Sequence, residues 1–158
     1  MDDPVQHVLF VKESVARFAL GWAKPVPVNP YNLKNPRLDD ILVSMAGPAM
    51  NLLLAVGLVA LARIGLIGHW EQFTGLCVQM AALSLLLCFF NLIPIPPLDG
   101  SHVLRNLTGM SWEAYANFAR FGFIAVIVVL QIQPVRELLW GTTFGALKLL
   151  VLCFGFPT

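Results

Sequence analysis

An aspartate directly follows a long uncharged run in the segment Asn91-Leu92-Ile93-Pro94-Ile95-Pro96-Pro97-Leu98-Asp99-Gly100. The uncharged run extends from Phe73 to Leu98, so the carboxylate stands where an apolar segment of membrane length stops. The three prolines prevent an ordinary helix, because each lacks an N–H donor and disfavours helix in the residue before it. Inside a bilayer, irregular backbone persists only where it is buried in protein or lines a wet cavity. An ionisable residue at that depth marks a functional site, so Asp99 is the first candidate.

The composition indicates a membrane protein. Hydrophobic residues make up 58% of the chain and charged residues only 12%, and the mean hydropathy is +0.75. These values are far too apolar for an ordinary soluble domain, so the lipid bilayer is the expected environment. The formal net charge of +1 and the scattered basic residues argue against nucleic acid as a partner.

The apolar runs predict an all-α fold, a polytopic transmembrane helix bundle with a proline-rich unwound segment and an extended interfacial loop. Residues 1–40 are expected to form an N-terminal amphipathic and extended interfacial segment, and residues 41–158 a transmembrane domain. The predicted spans cover about residues 41–62, 73–93, 118–134 and 138–156. Near the C-terminus, a third span followed by a re-entrant or interfacial tail is the alternative to two spans.

The distribution of basic residues predicts the orientation. Five of the ten lysines and arginines precede Ile41, and two lie between Gly100 and Arg120. By the positive-inside rule, the N-terminal segment and the Asp99 end of the second span should face the cytoplasm of a multi-pass cell-membrane protein.

Three stretches, in order, resemble one known family. The motif Asn91-x-x-Pro94-x-Pro96-Pro97-x-Asp99-Gly100 resembles the second signature of the site-2 proteases, which are intramembrane zinc metalloproteases. The loop from Gly21 to Pro30 is similar to one that precedes the central spans in compact bacterial members. The stretch Ala46-Gly47-Pro48-Ala49-Met50-Asn51 is similar to the small-residue motif of the preceding span.

The resemblance implies roles for particular residues. Asp99 would be the third zinc ligand, and Asn91 would orient the substrate or its oxyanion. Pro94 and Pro96 would belong to the substrate-binding segment. Asn51 is a further substrate-binding candidate, with a hydrogen bond across a helix interface as the alternative.

The sequence carries no His-Glu-x-x-His motif, so it holds no catalytic residue of that kind. Its three histidines are His7, His69 and His102, and no two are four residues apart. A catalytic zinc uses three protein ligands plus water, so the site implied by the resemblance is incomplete in this chain. In the family the histidine helix lies upstream of the loop that begins at Gly21. The chain is therefore expected to be the C-terminal portion of a member, either truncated at its start or naturally lacking that helix.

His102 is a possible second-shell residue or ligand. A helix beginning near Ser101 would place His102 about one turn from Asp99 on the same face. A plain interfacial helix that tolerates a polar residue at this position is the alternative.

The resemblance implies hydrolysis of a peptide bond in or near a membrane-spanning protein substrate, with zinc as cofactor. A homo-oligomer is a possible assembly. One alternative is a non-catalytic pseudoprotease that binds membrane substrates or partners without cutting them. Another is a fragment of a small transporter, since broken helices with a polar residue at the break also mark transport sites.

Overall fold

A computed structural model describes residues 36–156, which form helices and connecting turns without a strand. Six helices follow one another along these residues: α1 (Pro36–Ile67), α2 (Glu71–Asn91), α3 (Gly100–Thr108), α4 (Trp112–Ala119), α5 (Gly122–Gln131) and α6 (Gln133–Cys153). The predicted all-α helix bundle is confirmed. The predicted interfacial loop, the stretch from Gly21 to Pro30 and His7 lie outside the described residues.

Helix α1 begins within the stretch that the sequence assigns to the interfacial segment. Pro36 is its first residue, where the missing N–H costs no intrahelical bond and the fixed φ suits a helix. Asp39 lies in the first turn, where a carboxylate interacts favourably with the positive end of the helix dipole. These two features let the helix start before the apolar run at Ile41.

The core is a seam of mostly small side chains between α1 and α2. Ala55 and Val59 of α1 and Ala81 and Leu85 of α2 form a fully buried cluster. Small residues let two helix backbones approach closely, which is how helices associate where lipid is as apolar as the side chains. Partly buried side chains of α6 pack against this cluster, among them Ala146, Leu147 and Leu150.

Large apolar side chains cover the outer surfaces of α1 and α2, including Leu42, Leu53 and Ile64 on α1 and Leu76 on α2. Such a surface would aggregate in water but is stable against lipid chains. This arrangement supports the membrane environment expected from the composition.

Two described helical segments are long and apolar enough to cross a bilayer, Leu38–Ile67 and Glu71–Asn91. Helices α4 and α5 meet at a bend of 60°. Together they would form a third span if the two helices cross the bilayer as one broken segment. The region of the predicted third span is thus interrupted, and Ile132 adopts an extended backbone where α5 gives way to α6. Helix α6 covers most of residues 138–156, the predicted fourth span. That this helix crosses the membrane stays a prediction.

Overpacking the α1–α2 seam should destabilise the protein. Ala81→Leu adds three carbons at a fully buried position, and we expect it to lower the free energy of unfolding by about 1–3 kcal/mol. Thermal unfolding in detergent measures this. Ala49→Leu, at an exposed position on α1, is the matched control and should leave the melting temperature nearly unchanged.

Candidate functional site

Residues 92–98, between α2 and α3, are unwound, yet their backbone donors are satisfied. The N–H groups of Leu92 and Ile93 donate to the carbonyls of Phe89 and Phe90 at 3.2 and 3.1 Å. Those of Ile95 and Leu98 donate within the segment at 2.8 and 2.9 Å, to residues 93 and 95. The three remaining residues between 92 and 98 are prolines, which have no N–H. The segment therefore leaves no donor without an acceptor, although it is not helical.

Pro96 fixes this segment against the rest of the bundle. Its side chain is fully buried, and the Pro96–Pro97 peptide bond is cis. The backbone of Gly122, at the start of α5, lies so close that a Cβ there would overlap the Pro96 carbonyl. Pro94, in contrast, is exposed. Of the two prolines predicted to contact substrate, only Pro94 presents its ring on the surface.

Asp99 lies immediately before α3 and faces α1. A Cβ built on Gly47 of α1 would come within 2.8 Å of Asp99 Oδ2, so the missing side chain of Gly47 makes the space for the carboxylate. Burial raises the pKa of the Asp99 carboxyl, and the nearby His102 imidazole opposes that shift. The structure thus brings together two of the stretches singled out in the sequence, the small-residue motif of α1 and the aspartate of the proline motif.

The two predicted asparagines lie on the two long helices. Asn51 is half-buried on α1, four residues beyond Gly47 and therefore one turn away on the same side of the helix. Asn91 is the last residue of α2 and is also half-buried. Their predicted contacts with substrate stay predictions.

His102 lies in the first turn of α3, where its backbone N–H donates to the Asp99 carbonyl at 3.1 Å. Its Nδ1 lies 3.5 Å from Oδ1 of Asp40 in α1, which is an electrostatic contact rather than a good hydrogen bond. The ring is tilted against Tyr115, with centroids 5.2 Å apart. His102 therefore has a carboxylate neighbour on α1 in addition to Asp99, and its role as a second-shell residue or ligand stays a prediction.

Sequence reasoning missed the polar cluster beside Asp99. Oδ2 of Asp40 accepts hydrogen bonds from the Arg105 guanidinium, at 3.0 Å, and from the Asn106 amide. The available signal was the spacing of His102, Arg105 and Asn106, which puts three polar side chains on one face of a short helix.

Comparison with known proteins points to one family. The model of Peptidase family M50 matches residues 65–130. Over 150 residues the chain is 38% identical to "Putative zinc metalloprotease YwhC" of Bacillus subtilis, covering 87% of this chain and 64% of that protein. Both findings support the site-2 protease family, Peptidase family M50.

Two further relatives agree with this assignment. The chain is 38% identical over 103 residues to "Putative zinc metalloprotease Rip2" of Mycolicibacterium smegmatis, covering 59% of this chain and 36% of that protein. It is 31% identical over 119 residues to "Putative zinc metalloprotease sll0528" of Synechocystis, covering 65% of this chain and 30% of that protein. The chain thus spans less than two thirds of the length of each relative. No solved structure gives a significant match.

The described residues do not by themselves fit a catalytic zinc. Such a site needs three protein ligands, drawn from histidine, cysteine and carboxylate side chains. Residues 36–156 contain no group of three or more such side chains placed to hold a metal ion. Asp99 has the chemistry of one ligand, and further ligands would have to come from outside the described residues.

Gly100 should be intolerant of a side chain, because a Cβ there would overlap the carbonyl oxygen of Leu92, which is backbone and cannot rotate away. We expect Gly100→Ala to lower the free energy of unfolding by about 1–3 kcal/mol, measured by thermal unfolding in detergent. Gly141→Ala is the control, since nothing lies within 4 Å of a Cβ at Gly141 in α6. A helical glycine with free space should gain up to about 1 kcal/mol on this change. Equal melting temperatures for the two variants would contradict the close packing of Gly100 on α2.

Proposed function

We propose that this chain supplies the carboxylate part of the active site of an intramembrane zinc metalloprotease, with Asp99 as one metal ligand. The observation that carries the proposal is the placement of Asp99. A half-buried carboxylate at the end of an apolar span faces a helix that has a glycine opposite it. Buried carboxylates are normally paired or bound to a metal, because a lone charge is costly away from water. We propose zinc as the metal because the relatives are named as zinc metalloproteases.

The remaining ligands and the general base would come from a histidine pair and a glutamate outside the described residues. The sequence has no His-Glu-x-x-His motif to provide them. We propose that this chain alone does not cleave peptides and that the metal site is completed by a segment carrying that motif. The Asp99 end of the second span would face the cytoplasm, as the basic residues predict.

The substrate side of the proposal concerns the unwound segment. An intramembrane protease must act on a polypeptide whose backbone is accessible, and a partly exposed, non-helical segment can lie beside such a strand. Pro94 is exposed on this segment, and Asn91 and Asn51 are half-buried at neighbouring positions. We propose that these polar and irregular groups contact a membrane-protein substrate close to Asp99.

A non-catalytic scaffold is the second candidate function. The observation in its favour is that residues 36–156 contain no group of three or more histidine, cysteine, aspartate or glutamate side chains placed to hold a metal ion. In that case the unwound segment beside Asp99 would hold a membrane segment without cutting it. The two functions differ in whether a metal is bound once a histidine motif is supplied.

The proposal is tested with a chimera in which this chain replaces the matching 150 residues of the Bacillus subtilis relative. We expect about one zinc per chimera by elemental analysis of the protein purified in detergent. Asp99→Ala should reduce the zinc content by more than about tenfold, since a three-ligand site with one ligand removed binds weakly.

Glu113→Gln is the matched control, because Glu113 is an exposed carboxylate at the start of α4. It should leave the zinc content unchanged. Equal zinc in the Asp99→Ala chimera and its parent would show that Asp99 is not a ligand. A folded chimera without zinc would favour the scaffold.

A further inference from the structure

Two sets of contacts, at Gly47 and at Asp40, join α1 to α3 and the residue before it, and together they restrain how the helices are aligned; His102 Nδ1, 3.5 Å from Asp40 Oδ1, belongs to the second set. In the first set Asp99 Oδ2 lies against Gly47. In the second, the Asp40 carboxylate binds Arg105 and Asn106. Because Asp40 precedes Gly47 while residues 105 and 106 follow Asp99, the two helices run antiparallel.

The spacing of the two contacts is the same on both helices. Asp40 and Gly47 are seven residues apart, and so are Asp99 and Asn106. Seven residues are two helical turns, or about 10 Å at 1.5 Å per residue, so both contacts form at once only in this alignment. Between them lies Ser44, which is buried and donates to the Asp40 carbonyl at 2.7 Å. Asp40, Ser44 and Gly47 therefore lie on one face of α1, at positions i, i+4 and i+7.

The Asp40 contact is built to be rigid. The Arg105 guanidinium lies over the Trp112 ring at 4.5 Å and near the Tyr115 ring at 5.4 Å, and its side chain is only 14% exposed. A guanidinium stacked in this way loses little further freedom when it binds a carboxylate. The hydroxyl of Tyr115 meets the Ser101 hydroxyl at 2.9 Å, which ties α4 to the first turn of α3, next to Asp99.

We propose that Asp40 is a positioning residue for Asp99: by holding Arg105 and Asn106, it sets where α3 lies along α1 and so places the Asp99 carboxylate at Gly47. A shift of α3 along α1 would carry Asp99 away from the space that the glycine leaves. Asp40 itself is two turns from Gly47 and does not touch the reacting groups. The functional meaning of this placement rests on the proposed role of Asp99, whereas the placement itself is measured independently of zinc or proteolysis.

The test is disulfide formation between Gly47→Cys and Asp99→Cys in the full chain. The positions suit it, because a Cβ at Gly47 lies 3.8 Å from Asp99 Cγ, whose place the sulfur of Asp99→Cys would take, so a small adjustment brings the two sulfurs together. A Cys153→Ser background removes the exposed native thiol. We expect Asp40→Asn to lower the rate at which this disulfide forms about tenfold, since the substitution removes a charge-assisted contact. Exchanging the partners, with Asp40→Arg and Arg105→Asp together, should restore most of the rate.

A second cysteine pair, Gly65→Cys with Thr74→Cys, joins α1 to α2 at a distant close contact, where a Cβ at Gly65 lies 2.7 Å from Thr74 Oγ1. Asp40→Asn should leave its rate unchanged, and Glu113→Gln should leave both pairs unchanged. An undiminished rate for the 47–99 pair in Asp40→Asn would overturn the proposal. Slowing of both pairs would also overturn it, because Asp40 would then be a general stabiliser. If the disulfides behave as expected while the chimera binds no zinc, the positioning role stands and the proposed function fails.

Discussion

The need to satisfy backbone hydrogen bonds next to an apolar span governs the architecture around Asp99. A bilayer offers no partner for a free N–H, so a helix cannot simply unwind there. Between residues 92 and 98 the chain meets this constraint in two ways. The non-proline residues donate to nearby carbonyls, and prolines at the other three positions remove donors that would otherwise need acceptors. The prolines that break the helix are thus also what makes the break tolerable.

Close backbone approaches then hold the unwound segment in place. Gly100 lies against the end of α2, Gly122 against Pro96, and Gly47 against the Asp99 carboxylate. In each case a side chain would meet atoms already present, so three glycines from three different parts of the chain allow close packing of the segment that ends at Asp99. The ionic contact of Asp40 with Arg105 adds a directional restraint that packing of small residues alone would not give. A site at the bilayer boundary therefore combines close backbone packing on one side with a charged contact on the other.

The sequence predicted the features that depend on local chemistry. The apolar runs indicated the two central spans, the prolines indicated an unwound segment, and Asp99 emerged because a carboxylate there is exceptional. The contact between Gly47 and Asp99 was not predictable from the spacing, since it depends on how α3 folds back along α1. For the same reason the contact of Asp40 with α3 could not be predicted. The break between α4 and α5 was also missed: it lies at residues 120–121, inside the predicted span 118–134, and apolar character does not reveal a 60° bend.

The central claim is that the side chain at position 99 is directed into a metal site. X-ray absorption at the zinc edge, on the chimera with the Bacillus subtilis relative carrying Asp99→Cys, tests this most directly. A thiolate at position 99 should add a sulfur neighbour to the zinc at about 2.3 Å, where the parent chimera shows only nitrogen and oxygen neighbours near about 2.0–2.2 Å. A bound zinc whose neighbours are the same in both proteins would contradict the claim, because the side chain at position 99 would then not reach the metal.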